Sequence, residues 1–281
     1  MESLDRATLF ATDNGDLMHV RTRNMIITAT AGTHEGCVRK NNEDNFYING
    51  FYKKDTDTNS CIYSDDNPRD SYTYAVFDGV GGAAFGELAA LYAAEELYEY
   101  DDRQLDEQFS DYIETVNSRI CGSISENGGM RMGSTAALVF IKDRDASVCN
   151  IGDSRVYLFR KGELTQLSHD HTKRQSMFDF GLIGNDQEKA AARGHILTQY
   201  LGVFPEEFRL DPHIERRQLE TGDYLLLCSD GLTDMVSDEA IRDILSRGDS
   251  AETEELAEEL IREAVGNGGR DNITVVVVKA I

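Results

Sequence analysis

The stretch STAALVFIKDRDASVCNIGDSRVYLFRKGELTQL, residues 134–167, decides the architecture. Within it, Ser134 to Lys142, Ala146 to Asn150 and Arg155 to Arg160 are short and apolar, the pattern of buried strands. Lys161-Gly162 is a two-residue turn leading into Glu163 to Leu167, a hairpin. Parallel neighbours would need crossovers of roughly a dozen residues, and this stretch has no room for them.

Outward from it, Met25 to Ala31, Phe46 to Tyr52 and Tyr72 to Phe77 read as strands upstream; Arg216 to Leu219, Tyr224 to Ser229 and Ile273 to Lys279 follow downstream. Helices come in pairs after strand groups. The first pair is predicted over 83–100, with Leu88, Leu91, Ala94 and Tyr98 on one face, and over 106–126. The second covers 237–246 and 251–265, where Leu256, Leu260, Ile261 and Ala264 form a stripe. Lys53 to Asp70 is a polar surface loop with one short strand. His171 to Gly194, broken by glycines, reads as a helical flap with mobile edges. Residues 1–24 lack periodicity and read as a loosely ordered lead-in to a domain over 25–281. The pattern predicts an α+β layer protein with mostly antiparallel sheets, not a doubly wound parallel sheet.

Composition narrows the function classes. The chain has 281 residues, 40% hydrophobic and 28% charged, ordinary for a soluble globular protein. No run approaches the ~20 apolar residues of a membrane-crossing helix. Met1 to Asp16 has no apolar core of a secretory signal, so a cytoplasmic location is expected. Cys37, Cys61, Cys121, Cys149 and Cys228 form no CxxC pair, against a disulfide framework or a thiolate zinc site. A net charge of −23 makes nucleic acid a poor partner. Part of that charge lies on solvated helix faces such as Glu252 to Glu263, and part should be cancelled by bound cations.

The chemistry lies where strands end. Glu43-Asp44 precedes a strand, Asp78-Gly79 and Asp230-Gly231 close two others, Gly152-Asp153 lies between two, and Asp271-Asn272 opens the last. One aspartate at a strand end is usually a turn or a cap. Five of them on one core would repel each other unless divalent cations compensate. An oxygen-only set suits Mg²⁺ or Mn²⁺ over Zn²⁺. Gly79 lets backbone approach closely, and Gly81 and Gly82 permit a tight turn; the segment lacks the endings of a nucleotide-phosphate loop.

Six segments occur in order: Arg39-x-x-x-Glu43-Asp44, Phe77-Asp78-Gly79-x-Gly81-Gly82, Gly133-Ser134-Thr135-Ala136, Ile151-Gly152-Asp153-Ser154-Arg155, Cys228-Ser229-Asp230-Gly231-Leu232-x-Asp234 and Asp271-Asn272-Ile273-Thr274-Val275. Together they resemble the metal-dependent Ser/Thr protein phosphatases of type 2C, in their bacterial form. The resemblance implies a central sandwich of two antiparallel sheets, each flanked by a helix pair. It implies a dinuclear Mn²⁺ or Mg²⁺ centre on Asp44, Asp78, the Gly79 carbonyl, Asp230 and Asp271, with Glu43 outside it. Asp153 and Asp234, with Asp230, would hold a weaker third ion, and Arg39 would bind the substrate phosphate. A water bridging the two ions would be the nucleophile, without a covalent intermediate. Phosphorylated proteins would be substrates and a Ser/Thr kinase a natural partner.

Two departures stand out. Val80 occupies the place where eukaryotic members of that family often carry a histidine proposed as general acid, and Gln199 stands where many relatives carry arginine. His169-Asp170-His171 reads as a hydrogen-bonded turn rather than a ligand cluster, His34 as structural, and Ser134 and Ser229 as structural because neither sits in a GxSxG elbow. Rival readings are a phosphatase of a partner-switching transcription regulator and an inactive binding homologue. The complete carboxylate set and the intact Gly152 to Arg155 segment weigh against both.

Overall fold

The computed structural model describes residues 25–80, 85–100, 105–184, 196–248 and 252–281, together with the strand backbone at 8–11 and 17–20. Two antiparallel six-stranded sheets face each other. The first runs β14 (His213–Gln218), β11 (Asp145–Ile151), β10 (Ala136–Lys142), β7 (Ser71–Phe77), β4 (Asn45–Ile48), β5 (Phe51–Tyr52). The second runs β13 (Glu163–Gln166), β12 (Arg155–Arg160), β15 (Tyr224–Cys228), β16 (Ile273–Ala280), β3 (Ile27–His34), β6 (Cys61–Asp65). Two small pairs complete the strands: β8 (Gly79–Val80) with β9 (Gly133–Ser134), and β1 (Thr8–Ala11) with β2 (Leu17–Val20).

Helices α1 (Gly86–Glu99) and α2 (Leu105–Glu126) cover the first sheet. The short α4 (Asp230–Thr233), with α5 (Asp238–Leu245) and α6 (Thr253–Gly266), covers the second. Helix α3 (Lys173–Asp179) follows the β13 hairpin. The expected α+β sandwich with flanking helix layers is therefore what the chain forms.

Strand periodicity shows why both sheets are buried on both faces. In β7, Tyr72, Tyr74 and Val76 point between the sheets while Ala75 and Phe77 point at α1 and α2. In β15, Leu225 and Leu227 face the sandwich, Leu226 and Cys228 the helices. Alternate side chains point to opposite faces. A strand covered on both sides is thus a continuous apolar run even though its neighbours are antiparallel.

Three expectations need correction. The strand Phe46 to Tyr52 is two strands, β4 and β5, broken at Asn49 and Gly50, whose φ values are +46° and +97°. Asn-Gly is the strongest short hairpin signal, because both residues tolerate positive φ. Helix α1 buries Ala89, Ala90, Ala93, Ala94 and Leu97, whereas Tyr98 is 55% exposed and Leu88 and Leu91 are only half-buried. Small alanines let the helix lie close to the sheet, and that outweighs the larger apolar face. Lys53, expected in a surface loop, is buried, its Nζ donating to the Asn42 carbonyl at 2.8 Å. Gly81, Gly82, the start of the first predicted helix and the flap from 185 to 194 lie outside the described residues.

Candidate metal centre

The ends of β7 and β15, the start of β16 and the loop after β3 meet at one edge of the sandwich. There a cleft of about 190 Å³ is lined by Arg39, Glu43, Asp78, Gly79, Val80, Asp153, Leu197, Asp230, Asp271 and Asn272. Of the predicted inner set, Asp78, Gly79, Asp230 and Asp271 are on its wall, and Asp153 joins them. Asp44 lies beneath the wall, 1% exposed, and its charge acts on Asp78. Asp234 is at the exposed C-terminus of α4, its field reaching Asp230.

Glycines make this convergence possible. A Cβ on Gly79 would meet the Gly86 carbonyl at 2.4 Å and the Glu43 carbonyl at 2.5 Å, both backbone atoms. The chain before β4, the end of β7 and the start of α1 thus pack backbone to backbone. Asn272 ties the remaining segments: its Oδ1 accepts the Glu43 amide at 2.9 Å, and its Nδ2 donates to the carbonyls of Glu35 at 3.0 Å and Asn41 at 2.8 Å. Thr135 Oγ1 accepts the Asp78 amide at 3.0 Å and lies 2.6 Å from Ser154 Oγ. Asn272, Thr135 and Ser229 lie within the motif segments, where residue order alone gives them no positioning role. A signal is present, since each aspartate of the candidate site has an amide or hydroxyl residue close in sequence or in register.

The carboxylates oppose one another. Burial, then Asp153, Asp271 and Asp234, pushes Asp230 up to about 8. Burial, then Asp44, Asp230, Asp153 and Asp271, holds Asp78 well above the carboxylate range. Burial raises Asp44 to about 6 against hydrogen bonds from Thr274 and Ser229. Burial also raises Glu43, against a hydrogen bond from Asn41. Among the described residues no three such groups are already closed tightly enough to hold an ion. Protein donors occupy some of the oxygens: Arg39 Nη2 binds Asp271 Oδ2 at 2.6 Å, and Ser229 binds Asp44. Half-buried on the cleft wall or buried beneath it, and made of oxygen donors alone, the set fits divalent oxygen-binding metal ions.

This electrostatic frustration predicts a pH signature. A carboxyl whose folded pKa is raised stays protonated in the native chain after the unfolded chain has ionised. The native state then holds more protons, so stability is complete below the ordinary value of 3.8 and falls as pH rises toward about 8. The chelated protein is expected to lose several degrees of unfolding temperature between about pH 5 and about pH 8, and Mn²⁺ to remove that slope. Differential scanning fluorimetry with and without Mn²⁺ checks this; a flat profile in chelator contradicts it.

The remaining residues of note are structural. His171 Nδ1 accepts the Gly152 amide at 3.1 Å, and His171 is pushed down to about 4 by burial and by His169 and His213. A neutral ring is what that acceptor role requires. His169 Nε2 lies 2.9 Å from Asp179 Oδ2, and Arg155 forks onto Asp170, so the turn is hydrogen-bonded as expected. His34 Nδ1 accepts the Gly36 amide at 2.9 Å. Gln199 Oε1 accepts the Asp211 amide at 2.8 Å. Cys149 and Cys228 are fully buried.

The family model "Protein phosphatase 2C" matches residues 59–263, most of the chain, and the chain belongs to that family. The serine/threonine protein phosphatase PstP of Mycobacterium tuberculosis is 31% identical over 265 residues, 92% of this chain and 46% of PstP. The chain thus spans about half the length of PstP. Protein phosphatase PhpP of Streptococcus pneumoniae is 36% identical over 208 residues, 72% of this chain and 82% of PhpP. The crystal structure of the PstP catalytic domain in complex with two manganese ions superposes with a TM-score of 0.72 at 30% identity, covering 92% of this chain and 99% of that one.

Proposed function

We propose that this chain is a metal-dependent phosphatase of phosphoserine and phosphothreonine in proteins. The observation that carries this reading is the carboxylate-walled cleft with one arginine at its rim, in a chain of the type 2C family. Asp44, Asp78, the Gly79 carbonyl, Asp230 and Asp271 would hold two Mn²⁺ or Mg²⁺ ions, Glu43 would lie outside them, and Asp153 with Asp234 would hold a weaker third. When bound, such ions supply Lewis-acid charge for a phosphoryl group and activate water at neutral pH.

The chain's own groups do the rest. Arg39 is 51% exposed at the side chain and spends one of its five N–H donors on Asp271, leaving others for phosphate oxygens. Ser229 and Ser134 are both fully buried, Ser229 hydrogen-bonded to Asp44 and Ser134 to the Thr135 carbonyl. Neither is available as a nucleophile, which supports direct attack by water. Val80 lines the cleft and donates no proton. A cytoplasmic setting and a Ser/Thr kinase that supplies the substrate fit the same reading, and among the described residues no helix is long and apolar enough to cross a membrane.

The test is hydrolysis of p-nitrophenyl phosphate and of a phosphothreonine peptide. Activity should require Mn²⁺ or Mg²⁺ and vanish in chelator; full turnover in a stripped, chelated sample would refute the metal reading. Arg39→Ala should raise KM about tenfold or more, the loss of a charge-assisted pair of roughly 1.5–3 kcal/mol. Unchanged kinetics would remove Arg39 from the phosphate role.

A further inference from the structure

The hydrogen bonds behind Asp44 form a closed circuit. Ser229 Oγ donates to Asp44 Oδ2 at 2.8 Å and accepts the Thr274 amide at 3.0 Å. Thr274 Oγ1 lies 2.7 Å from Thr33 Oγ1, and the Thr274 side chain also hydrogen-bonds the Asp44 carboxyl. Thr33 Oγ1 accepts from Asn42 Nδ2 at 2.8 Å, and Asn42 Oδ1 accepts the amide of Asp44 itself at 3.1 Å. Ser229, Thr274 and Asn42 are all 0% exposed, and Thr33 is 2% exposed.

Counting protons orients the circuit. A hydroxyl carries one hydrogen, and an ionised carboxylate only accepts. The Asp44 carboxylate takes the single Thr274 hydrogen, so the contact between the two threonines uses the Thr33 hydrogen, and Asn42 fills a lone pair of Thr33. Both hydroxyl donors that reach the carboxylate come from the core, on chain whose spacing the sheet sets: Thr274 pairs with Thr33 across β16 and β3, and the Ser229 amide bonds the Thr274 carbonyl at 3.0 Å. The terminal torsion of an aspartate is otherwise broad.

Resting on the function proposed above, we infer that Ser229 and Thr274 are positioning residues of the metal centre. Their hydroxyls hold the Asp44 carboxylate from the core side and present its remaining lone pairs to a divalent cation before the cation arrives. Neither hydroxyl touches substrate.

The test is calorimetric titration of the chelated, dialysed chain with Mn²⁺, for the wild type, Thr274→Val, Thr274→Ser and Ser229→Ala. Valine keeps the shape of threonine without its hydroxyl, and serine keeps the hydroxyl without the methyl. Groups that orient a metal ligand are worth about 10–100-fold in affinity. The Kd should therefore rise about tenfold or more in Thr274→Val and Ser229→Ala, and stay within about threefold in Thr274→Ser. A structural role alone would lower the unfolding temperature of the chelated Val and Ser variants alike and leave both Kd values in place. Equal Kd in Thr274→Val and wild type overturns the inference, as does equal weakening in Thr274→Ser. If Ser229→Ala does not fold, the Thr274 pair decides; if neither hydroxyl-deleted variant folds in chelator, the hydroxyls hold up the fold and the inference fails. A wild type that binds no Mn²⁺ refutes the metal-dependent reading itself, a different result from a wild type and variants that bind equally.

Discussion

Asp230→Asn is expected to lose Mn²⁺-dependent phosphatase activity while its chelated form unfolds at a higher temperature than the wild type above about pH 8. The two effects share one cause. Asp230 is crowded by Asp153, Asp271 and Asp234, and burial with these neighbours pushes its carboxyl up to about 8. Ionising it in the chelated chain is costly, and asparagine removes the charge at constant shape. Its amide can still hydrogen-bond to Asp78, which shares a side-chain hydrogen bond with Asp230. The same change strips an acceptor from the site that must gather cationic charge around the phosphate. If that charge contributes about 4 kcal/mol in the transition state, the loss is on the order of 10³-fold in kcat. Steady-state kinetics and fluorimetry on the same preparation decide it. Full activity would remove Asp230 from the site; lost activity with a lower unfolding temperature would mean that the residue supports the fold instead.

Gly231→Ala should fail in the opposite way, losing fold and site together. A Cβ at that position would lie 1.8 Å from the Asn272 carbonyl oxygen and 2.8 Å from its carbon, both backbone atoms that cannot rotate aside. Either α4, which begins at Asp230, or the Asp271-Asn272 segment leading into β16 must move. Overpacking of this kind costs about 3 kcal/mol or more, readable as a lower urea midpoint. Gly266→Ala is the control: it closes α6, has no positive φ and meets nothing within 4 Å, so it should be neutral or slightly stabilising. A Gly231→Ala protein as stable as wild type would show that the contact between α4 and β16 relaxes freely.

Much of this was legible from residue order. The strand groups, the helix pairs and the aspartates at strand ends read directly, because alternation and flanking glycines are local signals. The misreadings share a physical pattern. The turn at Asn49-Gly50 was hidden because aromatic residues on both sides extend the apolar run. Helix α1 buries alanines because close approach to the sheet governs packing, which helix periodicity cannot weigh. Lys53 was placed in solvent by the polarity of its neighbours, yet its ammonium is held in the core by a backbone carbonyl.

The sequence by itself determined which groups could serve a metal centre: oxygen donors without thiolate or imidazole, one arginine, and glycines where backbone must touch backbone. Tertiary structure alone decided how they act on each other. The contact between Thr33 and Thr274 joins residues 241 positions apart, and the hydrogen bond from Ser229 to Asp44 joins residues 185 apart. Repulsion and hydrogen bonding act through space over a few ångströms, and chain order carries no record of those distances until the sheets have paired. Five aspartates at strand ends became one electrostatically strained cluster only when two sheets brought those ends to a common edge.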